Sequence, residues 1–278
     1  FNQGNANLHE ANKAVFNKLR KFSSFDAVQR NEITGEEHPK IKLIDFKNWQ
    51  NNHFVAINQF RINTPHGTRE SIIPDIVLFV NGLPLVVIEC KDEDVTQPMS
   101  AAFKQIRRYS NSRDDDFGVI EGEEKLFYCN LFSILTHGKE ARFGTISAEF
   151  DYYYNWKDIF PEHYKTIVIN EQNEQTQEVM ILGLLNQEIL LDVLKHFTLF
   201  MEVKAGVEVK TLCRYQQYRA VGKIIDRLRR PSSKDRSGVV WHTQGSGKSL
   251  TMVFLIRKLR SLEDLKDYKV ILVNDRTD

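Results

Sequence analysis

Three charged residues stand at the ends of two apolar segments between residues 74 and 91. Asp75 precedes the first segment, and Glu89 and Lys91 close the second. An unpaired charge among valines and isoleucines is costly unless a partner or a metal ion offsets it. Two carboxylates offer the oxygen ligands that Mg²⁺ prefers, and a lysine can orient or deprotonate a water molecule. These residue types fit metal-dependent cleavage of a phosphodiester, and the alternative is a buried structural ion pair.

An Asn-Gly dipeptide at residues 81–82 separates the two apolar segments, and such a dipeptide indicates a β-hairpin. With a strict two-residue loop, Asp75 and Glu89 would project from opposite faces of the sheet. A three-residue loop that also includes Leu83, a type I turn closed by a bulge, places the two carboxylates across from each other. Glu89 and Lys91 share a face because side chains alternate along a strand. We therefore predict the three-residue loop, and the site requires either that loop or a bulged hairpin.

This pattern resembles the PD-(D/E)XK nuclease family, with Pro74-Asp75 and the Glu89-Cys90-Lys91 run as the matching residues. Downstream, Gln105 and Tyr109 are four residues apart and share a helix face. They resemble the Gln-x-x-x-Tyr motif that helps to hold DNA or the catalytic site in several branches of the family. The alternative is an ordinary amphipathic helix. The resemblance implies an α/β fold with a mixed sheet flanked by helices, two acidic metal ligands and a catalytic lysine.

A second group of residues fits nucleotide binding. Residues 238–250 read as a short apolar strand, a glycine-rich loop and the start of a helix, which is the context of a phosphate-binding loop. His242 stands where the strict motif has glycine, and superfamily 2 helicases and translocases, whose first motif this segment resembles, commonly relax that position. A flexible loop before a helix is the alternative. The predicted contacts to ATP and its Mg²⁺ are Thr243, Gly245, Ser246, Gly247, Lys248 and Ser249.

Two flanking segments favour a nucleic-acid motor over a small-molecule kinase. Gln216 and Gln217, about thirty residues before the loop, resemble the upstream glutamine element by which such motors recognise adenine. A glutamine amide matches the adenine edge with two hydrogen bonds, although a polar helix start would look the same. Residues 268–278 read as the next buried strand and its exit loop. There, Asp275 and Arg276 are candidates for contact with the DNA backbone, or for a surface ion pair.

The order of these motifs is specific, and nearly the whole chain resembles the R subunit of type I restriction-modification enzymes, which translocates and cuts DNA. The resemblance implies an ATP-dependent and Mg²⁺-dependent endonuclease that acts on double-stranded DNA together with methylation and specificity subunits. The stretches that carry the resemblance are residues 43–46, 58–60, 74–91, 105–109, 136–142, 214–218 and 241–249.

The resemblance also predicts that the chain is incomplete and hydrolyses ATP poorly by itself, since no Asp-Glu motif follows the loop. Related nucleases often draw a further acid from an early helix, and Glu10 is the candidate here. Two alternatives remain. One is a DNA-remodelling motor whose nuclease-like domain only binds DNA, and the other is a P-loop enzyme for small molecules whose hairpin is purely structural.

For domain organisation, we predict a nuclease domain over residues 1–177, a helical connector over 178–211, and the first part of a RecA-like P-loop α/β domain over 212–278. The polar stretch 170–177 reads as a loop. Strands of the nuclease domain are predicted near residues 55–62, 72–80, 84–91, 126–135 and 142–149.

Composition agrees with this prediction but does not select it. The 38 basic and 37 acidic residues give a net charge of +1, so phosphate binding has to be local. The 3 cysteines have no metal-ligand spacing, which argues against a zinc site. No apolar run approaches the ~20 residues that cross a bilayer. Without a signal peptide or membrane span, the expected location is the cytoplasm.

Overall fold

A computed structural model of the chain describes residues 7–20, 25–26, 32–33, 35, 40–65, 67–113, 119–138, 140–162, 176–204 and 206–273. The helices are α1 Leu8–Arg20, α2 Pro98–Tyr109, α3 Thr176–Leu182, α4 Gln187–His196, α5 Tyr215–Leu228 and α6 Lys248–Ser261. The strands are β1 Phe25–Asp26, β2 Lys40–Ile41, β3 Phe54–Asn58, β4 Ile62–Asn63, β5 Ser71–Ile72, β6 Ile76–Val80, β7 Leu83–Lys91, β8 Phe132–His137, β9 Glu140–Gly144, β10 Thr198–Lys204 and β11 Val207–Leu212. Short 3-10 helices cover Trp49–Asn51, Glu124–Phe127, Phe150–Tyr152 and Ser233–Asp235.

A five-stranded mixed sheet forms the centre of the molecule, in the order β3-β6-β7-β8-β9. Strands β7 and β8 are parallel, joined by a crossover that contains α2, and the other neighbours are antiparallel. The central position of β7 explains its nearly continuous apolar sequence, because both of its faces are covered. This sheet confirms the predicted α/β fold with helices around a mixed sheet. The predicted strand near 126–135 begins later, because residues 124–127 form a 3-10 helix.

The turn between β6 and β7 contains only two residues. Val80 pairs with Leu83, which leaves Asn81 and Gly82 in the loop. Both have positive φ values, 50° and 80°, as the tight hairpin turns with primed geometry require. The predicted three-residue loop is therefore wrong: asparagine and glycine tolerate left-handed backbone, so the turn closes without a third residue.

A β-bulge in β7 restores the register that the site needs. The pairing shifts beside Phe79, where Leu85 is the extra residue of β7. When the pairing beyond the bulge is continued by one residue to the position just before β6, Asp75 lies opposite Glu89. Thus the bulged hairpin, the second of the two arrangements that could bring the carboxylates together, is the one that occurs.

The two faces of the sheet bury separate apolar clusters. Val87 packs toward α2 together with Ala102 and Ile106, whereas Val86 and Ile88 contribute to a larger core on the other face. Because side chains alternate, Glu89 and Lys91 point to the same side as Val87, toward α2. The larger core also includes side chains of α1 and α4–α6.

The segment between the sheet and the glycine-rich loop differs from its prediction. Residues 178–211 were expected to be a helical connector, but helix ends at His196 and an antiparallel hairpin, β10–β11, follows. Strand-forming side chains such as Thr198, Phe200 and Val209 explain this change. Of the polar stretch 170–177, the described residues 176 and 177 begin α3, and the others lie outside the described residues.

Asp192 joins α4 to α6. Its carboxylate accepts a hydrogen bond from Lys258 of α6, and its Oδ1 atom lies 2.6 Å from Nδ1 of His196. Burial would raise the pKa of Asp192, but the hydrogen bond and charge of His196, together with Lys258, hold that pKa below its usual range. On the same side, Arg257 donates to the carbonyl oxygen of Lys195 at the end of α4. Helix α6, which starts at the glycine-rich loop, is therefore attached to α4 by partly buried polar contacts.

Two predicted strands on either side of α6 do not form. Residues 238–242 and 268–273 are not assigned to any strand, and Val239 and Val273 are 94% and 89% exposed. Within the part of the chain that the structure describes, neither segment has a neighbouring strand to satisfy its backbone N–H and C=O groups. None of the helices in this part is long and apolar enough to cross a bilayer.

Candidate active site and nucleotide loop

Asp75 lies immediately before β6, and both of its carboxylate oxygens accept hydrogen bonds from uncharged donors. Its Oδ2 atom accepts a hydrogen bond from the backbone N–H of Cys90 at 2.8 Å. Its Oδ1 atom accepts one from the side-chain amide of Gln59, with 2.9 Å between Nε2 and Oδ1. These bonds fix the orientation of the carboxylate and leave its negative charge without a cationic partner among the described residues.

Glu89 is the buried member of the pair, with 1% of its side chain exposed. One oxygen, Oε1, lies 2.5 Å from Nζ of Lys91, whereas Oε2 is buried with no hydrogen-bond partner among the described residues. Burial raises the pKa of Glu89 to about 7; the charge of Asp75 raises it further, whereas Lys91 and, to a smaller extent, the hydroxyl of Tyr109 lower it. The ionised form of Glu89 is therefore costly in this arrangement.

A chain of hydrogen bonds fixes Lys91 against α2. Its Nζ atom donates to Oε1 of Gln105 at 3.2 Å, and Nε2 of Gln105 donates to the hydroxyl of Tyr109 at 2.6 Å. That hydroxyl donates to the carbonyl of Ile73 at 3.1 Å, two residues before Asp75. Burial raises the pKa of Tyr109 to about 12, so its hydroxyl stays protonated near neutral pH. The structure thus brings all five nuclease residues predicted from the sequence into one site.

The donor set of this site fits Mg²⁺. The buried Oε2 atom of Glu89 has no donor among the described residues, and the neighbouring carboxylate of Asp75 repels it. Among the described residues, no group of three or more His, Cys, Asp and Glu side chains is close enough to hold a metal ion. Mg²⁺ does not need such a group, because it commonly binds through one or two carboxylates and keeps several water molecules.

Glu10 does not join the site in this structure. It is exposed on α1, and its backbone N–H donates a hydrogen bond to the side-chain oxygen of Asn7. Helix α1 is fixed through Asn12, whose amide donates to the carbonyl of Asn130 just before β8, whereas Glu89 pairs with a residue near the other end of that strand. Gln59, in contrast, contacts Asp75 but was not among the predicted site residues. Its only sequence signal was its place in the stretch 58–60.

The glycine-rich loop has the backbone of a helix-starting turn. Gly245 and Gly247 have φ values of 74° and 81°, and α6 begins at the next residue, Lys248. Nζ of Lys248 donates to the carbonyls of His242 and Thr243, at 3.1 and 3.3 Å. Ser246 also donates to the carbonyl of Thr243, and Ser249 is exposed at the start of the helix. In this arrangement the lysine binds carbonyl oxygens of its own loop.

Gln217 connects the upstream glutamine element to this loop. It is 2% exposed, its Oε1 atom accepts from the backbone N–H of Arg214 at 2.8 Å, and its Nε2 atom donates to the carbonyl of Gly247 at 3.0 Å. Both ends of the amide are thus used to hold the start of α5 against the loop. The Oε1 atom of Gln216 is buried without a partner among the described residues. Asp275 and Arg276 lie outside the described residues.

Comparisons with known proteins cover both ends of the chain. Residues 1–152 match the family described as the type I restriction enzyme R protein N terminus, and residues 216–278 match SWI2/SNF2 ATPases. The type I restriction enzyme HindI endonuclease subunit of Haemophilus influenzae is 34% identical, over 96% of this chain and 24% of that protein. The SsaAORF53P endonuclease subunit of Staphylococcus saprophyticus is 27% identical, over 96% of this chain and 25% of that protein. The chain spans about a quarter of the length of these curated relatives.

Proposed function

Because the chain belongs to the family of type I restriction enzyme R protein N termini and continues into the start of a SWI2/SNF2 ATPase, we propose that its sheet domain is a Mg²⁺-dependent endonuclease for double-stranded DNA. The observation that carries this proposal is the state of Glu89. A buried carboxylate that faces Asp75 and has one oxygen without a donor in the described part of the chain is a costly arrangement, and a divalent cation would offset that cost.

In the proposed mechanism, Asp75 and Glu89 would hold the metal ion. When bound, Mg²⁺ supplies a Lewis acid for the phosphate and a water molecule of lowered pKa. The Cys90 N–H and the Gln59 amide keep Asp75 oriented, so little reorganisation is needed on binding. Lys91 supplies a positive charge beside the carboxylates, where it stabilises the negative charge that develops on the phosphate or orients the attacking water.

Gln105 and Tyr109 act on Lys91 and not on the DNA in this proposal. Gln105 accepts a hydrogen bond from the ammonium group on the α2 side and is itself held by its bond to Tyr109, while Glu89 contacts the ammonium group from the strand. A lysine on a flexible four-carbon side chain needs this support, because its free rotamers would place the charge away from the reacting phosphate.

For the second part of the chain, we propose ATP binding at residues 243–249 as part of a translocating motor in the complete R protein. Lys248 would exchange the carbonyls of His242 and Thr243 for the phosphates of the nucleotide, and Ser249 would ligate Mg²⁺. The division into residues 1–177, 178–211 and 212–278 belongs to this proposal. So do the methylation and specificity subunits as partners, and the cytoplasmic location.

The test uses the complete R protein assembled with its methylation and specificity subunits. We expect Asp75→Ala, Glu89→Ala and Lys91→Ala to abolish Mg²⁺-dependent cleavage and to leave DNA-stimulated ATP hydrolysis intact. Asp94→Ala is the control, since this exposed acid lies just beyond the end of β7. Cleavage at the wild-type rate in the three site variants would refute the endonuclease assignment and favour a domain that only binds DNA.

A further inference from the structure

Gln59 has a backbone conformation that glutamine rarely adopts. It directly follows β3 and has a φ value of 49°, in the left-handed region. For a residue with a side chain this region costs about 1 kcal/mol or more relative to the right-handed one. Such strain persists only where the surrounding structure imposes it, and it is concentrated at functional sites. The contacts of Gln59 therefore need an explanation.

Three hydrogen bonds join residues 59–60 to residues 74–75. The backbone N–H of Gln59 donates to the carbonyl of Asp75 at 2.8 Å, and the N–H of Phe60 donates to the carbonyl of Pro74 at 3.2 Å. The third bond is the side-chain bond from Gln59 Nε2 to Asp75 Oδ1, at 2.9 Å. Gln59 thus holds both the backbone and the carboxylate of Asp75.

The chemistry of the two donors to Asp75 matters for metal binding. A backbone N–H from Cys90 and a side-chain amide from Gln59 orient the carboxylate but carry no charge. A lysine or arginine in the place of Gln59 would neutralise Asp75 and compete with the cation. An amide leaves the full negative charge for the metal, and it keeps a second N–H and a carbonyl oxygen for bound water.

We propose that Gln59 is a positioning residue of the nuclease centre, whose amide orients the Asp75 carboxylate toward the metal ion that it shares with Glu89. This inference rests on the proposed endonuclease function. The left-handed backbone at residue 59 is the means by which the end of β3 turns alongside residues 74–75 and presents the amide to Asp75. Because Gln59 is exposed, its amide stays accessible to water.

The test is the substitution Gln59→Gly in the complete R protein. Glycine adopts a φ value near 50° without strain, so the variant is expected to fold as well as the wild type or better. We expect its affinity for Mn²⁺, measured by electron paramagnetic resonance without DNA, to fall about 10-fold, and its cleavage rate with Mg²⁺ in the assembled enzyme to fall by about 10-fold to 100-fold. Gln59→Asn, which also tolerates the left-handed region but is one methylene shorter, should behave in the same way.

Gln97→Gly is a matched control. Gln97 is also an exposed glutamine with a left-handed backbone, φ 51°, but its side chain makes no capping hydrogen bond at the start of α2. Wild-type Mn²⁺ affinity in Gln59→Gly would overturn the role of Gln59, even where Asp75→Ala abolishes cleavage and the proposed function stands. If the wild-type enzyme does not cleave DNA with Mg²⁺, the proposed function fails, and the Mn²⁺ affinities still decide the role of Gln59.

Discussion

The substitution Glu89→Gln is expected to stabilise the sheet at about pH 8 without divalent metal, and at the same time to remove metal binding. The pKa of Glu89 rises from an ordinary 4.5 to about 7 in the folded protein. A carboxyl group with a raised folded pKa favours the fold most below 4.5, and this contribution is lost as the pH rises to about 7. Above that pH, the ionised group opposes folding by a constant amount.

The size of this effect follows from the same pKa. Each pH unit between the folded and unfolded values corresponds to about 1.4 kcal/mol, so ionised Glu89 costs the fold about 3 kcal/mol. Glutamine has the same shape without the charge, and its oxygen can still accept a hydrogen bond from Lys91. Its amide nitrogen, however, would take the place of Oε2, which has no partner among the described residues. We therefore expect a gain of about 1 to 3 kcal/mol at about pH 8, and little change at about pH 5.

Hydrogen exchange of the amides in β7 and β8 measures the change in stability of the sheet locally. It avoids the assumption that a large multidomain protein unfolds in two states. In EDTA, protection in the wild type should fall between about pH 5 and pH 8 after correction for intrinsic exchange, and in Glu89→Gln it should not. Added Mg²⁺ should restore the protection of the wild type alone. Glu140→Gln on β9 is the control, because the partly exposed ion pair of Glu140 with Arg142 contributes little. Lower protection in Glu89→Gln than in the wild type at about pH 8 would refute the reasoning, since the ion pair with Lys91 would then outweigh burial.

Three further predictions concern the supporting contacts. Tyr109→Phe removes the hydroxyl that donates to the carbonyl of Ile73, and should lower the free energy of unfolding of the sheet by about 1 to 2 kcal/mol in hydrogen exchange and slow single-turnover cleavage. Gly247→Ala would place a Cβ atom 2.6 Å from Nε2 of Gln217 at a φ value of 81°, so ATP affinity, measured by nucleotide fluorescence, should fall about 10-fold or more. Asp192→Ala leaves its basic partners, buried His196 on α4 and partly buried Lys258 on α6, without a carboxylate, and should raise exchange in both helices by a local destabilisation of about 3 kcal/mol. Unchanged ATP affinity, or unchanged exchange, would contradict the second or third prediction.

The hairpin shows what local sequence determines and what it does not. Asn81 and Gly82 set the turn, and the alternation of side chains puts Glu89 and Lys91 on one face. The extra residue is held instead by a segment distant in sequence, because the carbonyl of Leu85 accepts the N–H of Leu131, just before β8, at 2.6 Å. Convergence of the carboxylates therefore implied that some extra residue exists, but could not place it in the strand.

The segments around α6 show that a strand predicted from local sequence can fail to form. Residues 238–242 and 268–273 have the composition of strands, yet Val239 and Val273 are largely exposed and outside any sheet. Strand propensity reflects packing on a pleated surface and pairing with neighbours. A segment with this propensity therefore forms no strand where the described chain offers no neighbouring strand. Gln59 was missed for a related reason. Its role depends on a backbone angle and a contact with Asp75, and neither follows from the residue type.

The charges of the site distinguish a metal centre from a buried structural ion pair. In a structural pair, Lys91 would satisfy the carboxylate that it contacts, but it bonds one oxygen of Glu89 and leaves the other without a donor among the residues that the structure describes. Asp75 is held by neutral donors alone in the described contacts, so the ionised site keeps one negative charge in excess. A divalent cation would convert that excess to one positive charge, and a phosphodiester would then bring the total to zero. The uncompensated carboxylate is costly in the free protein, and it matches the charge of a bound metal ion and DNA phosphate.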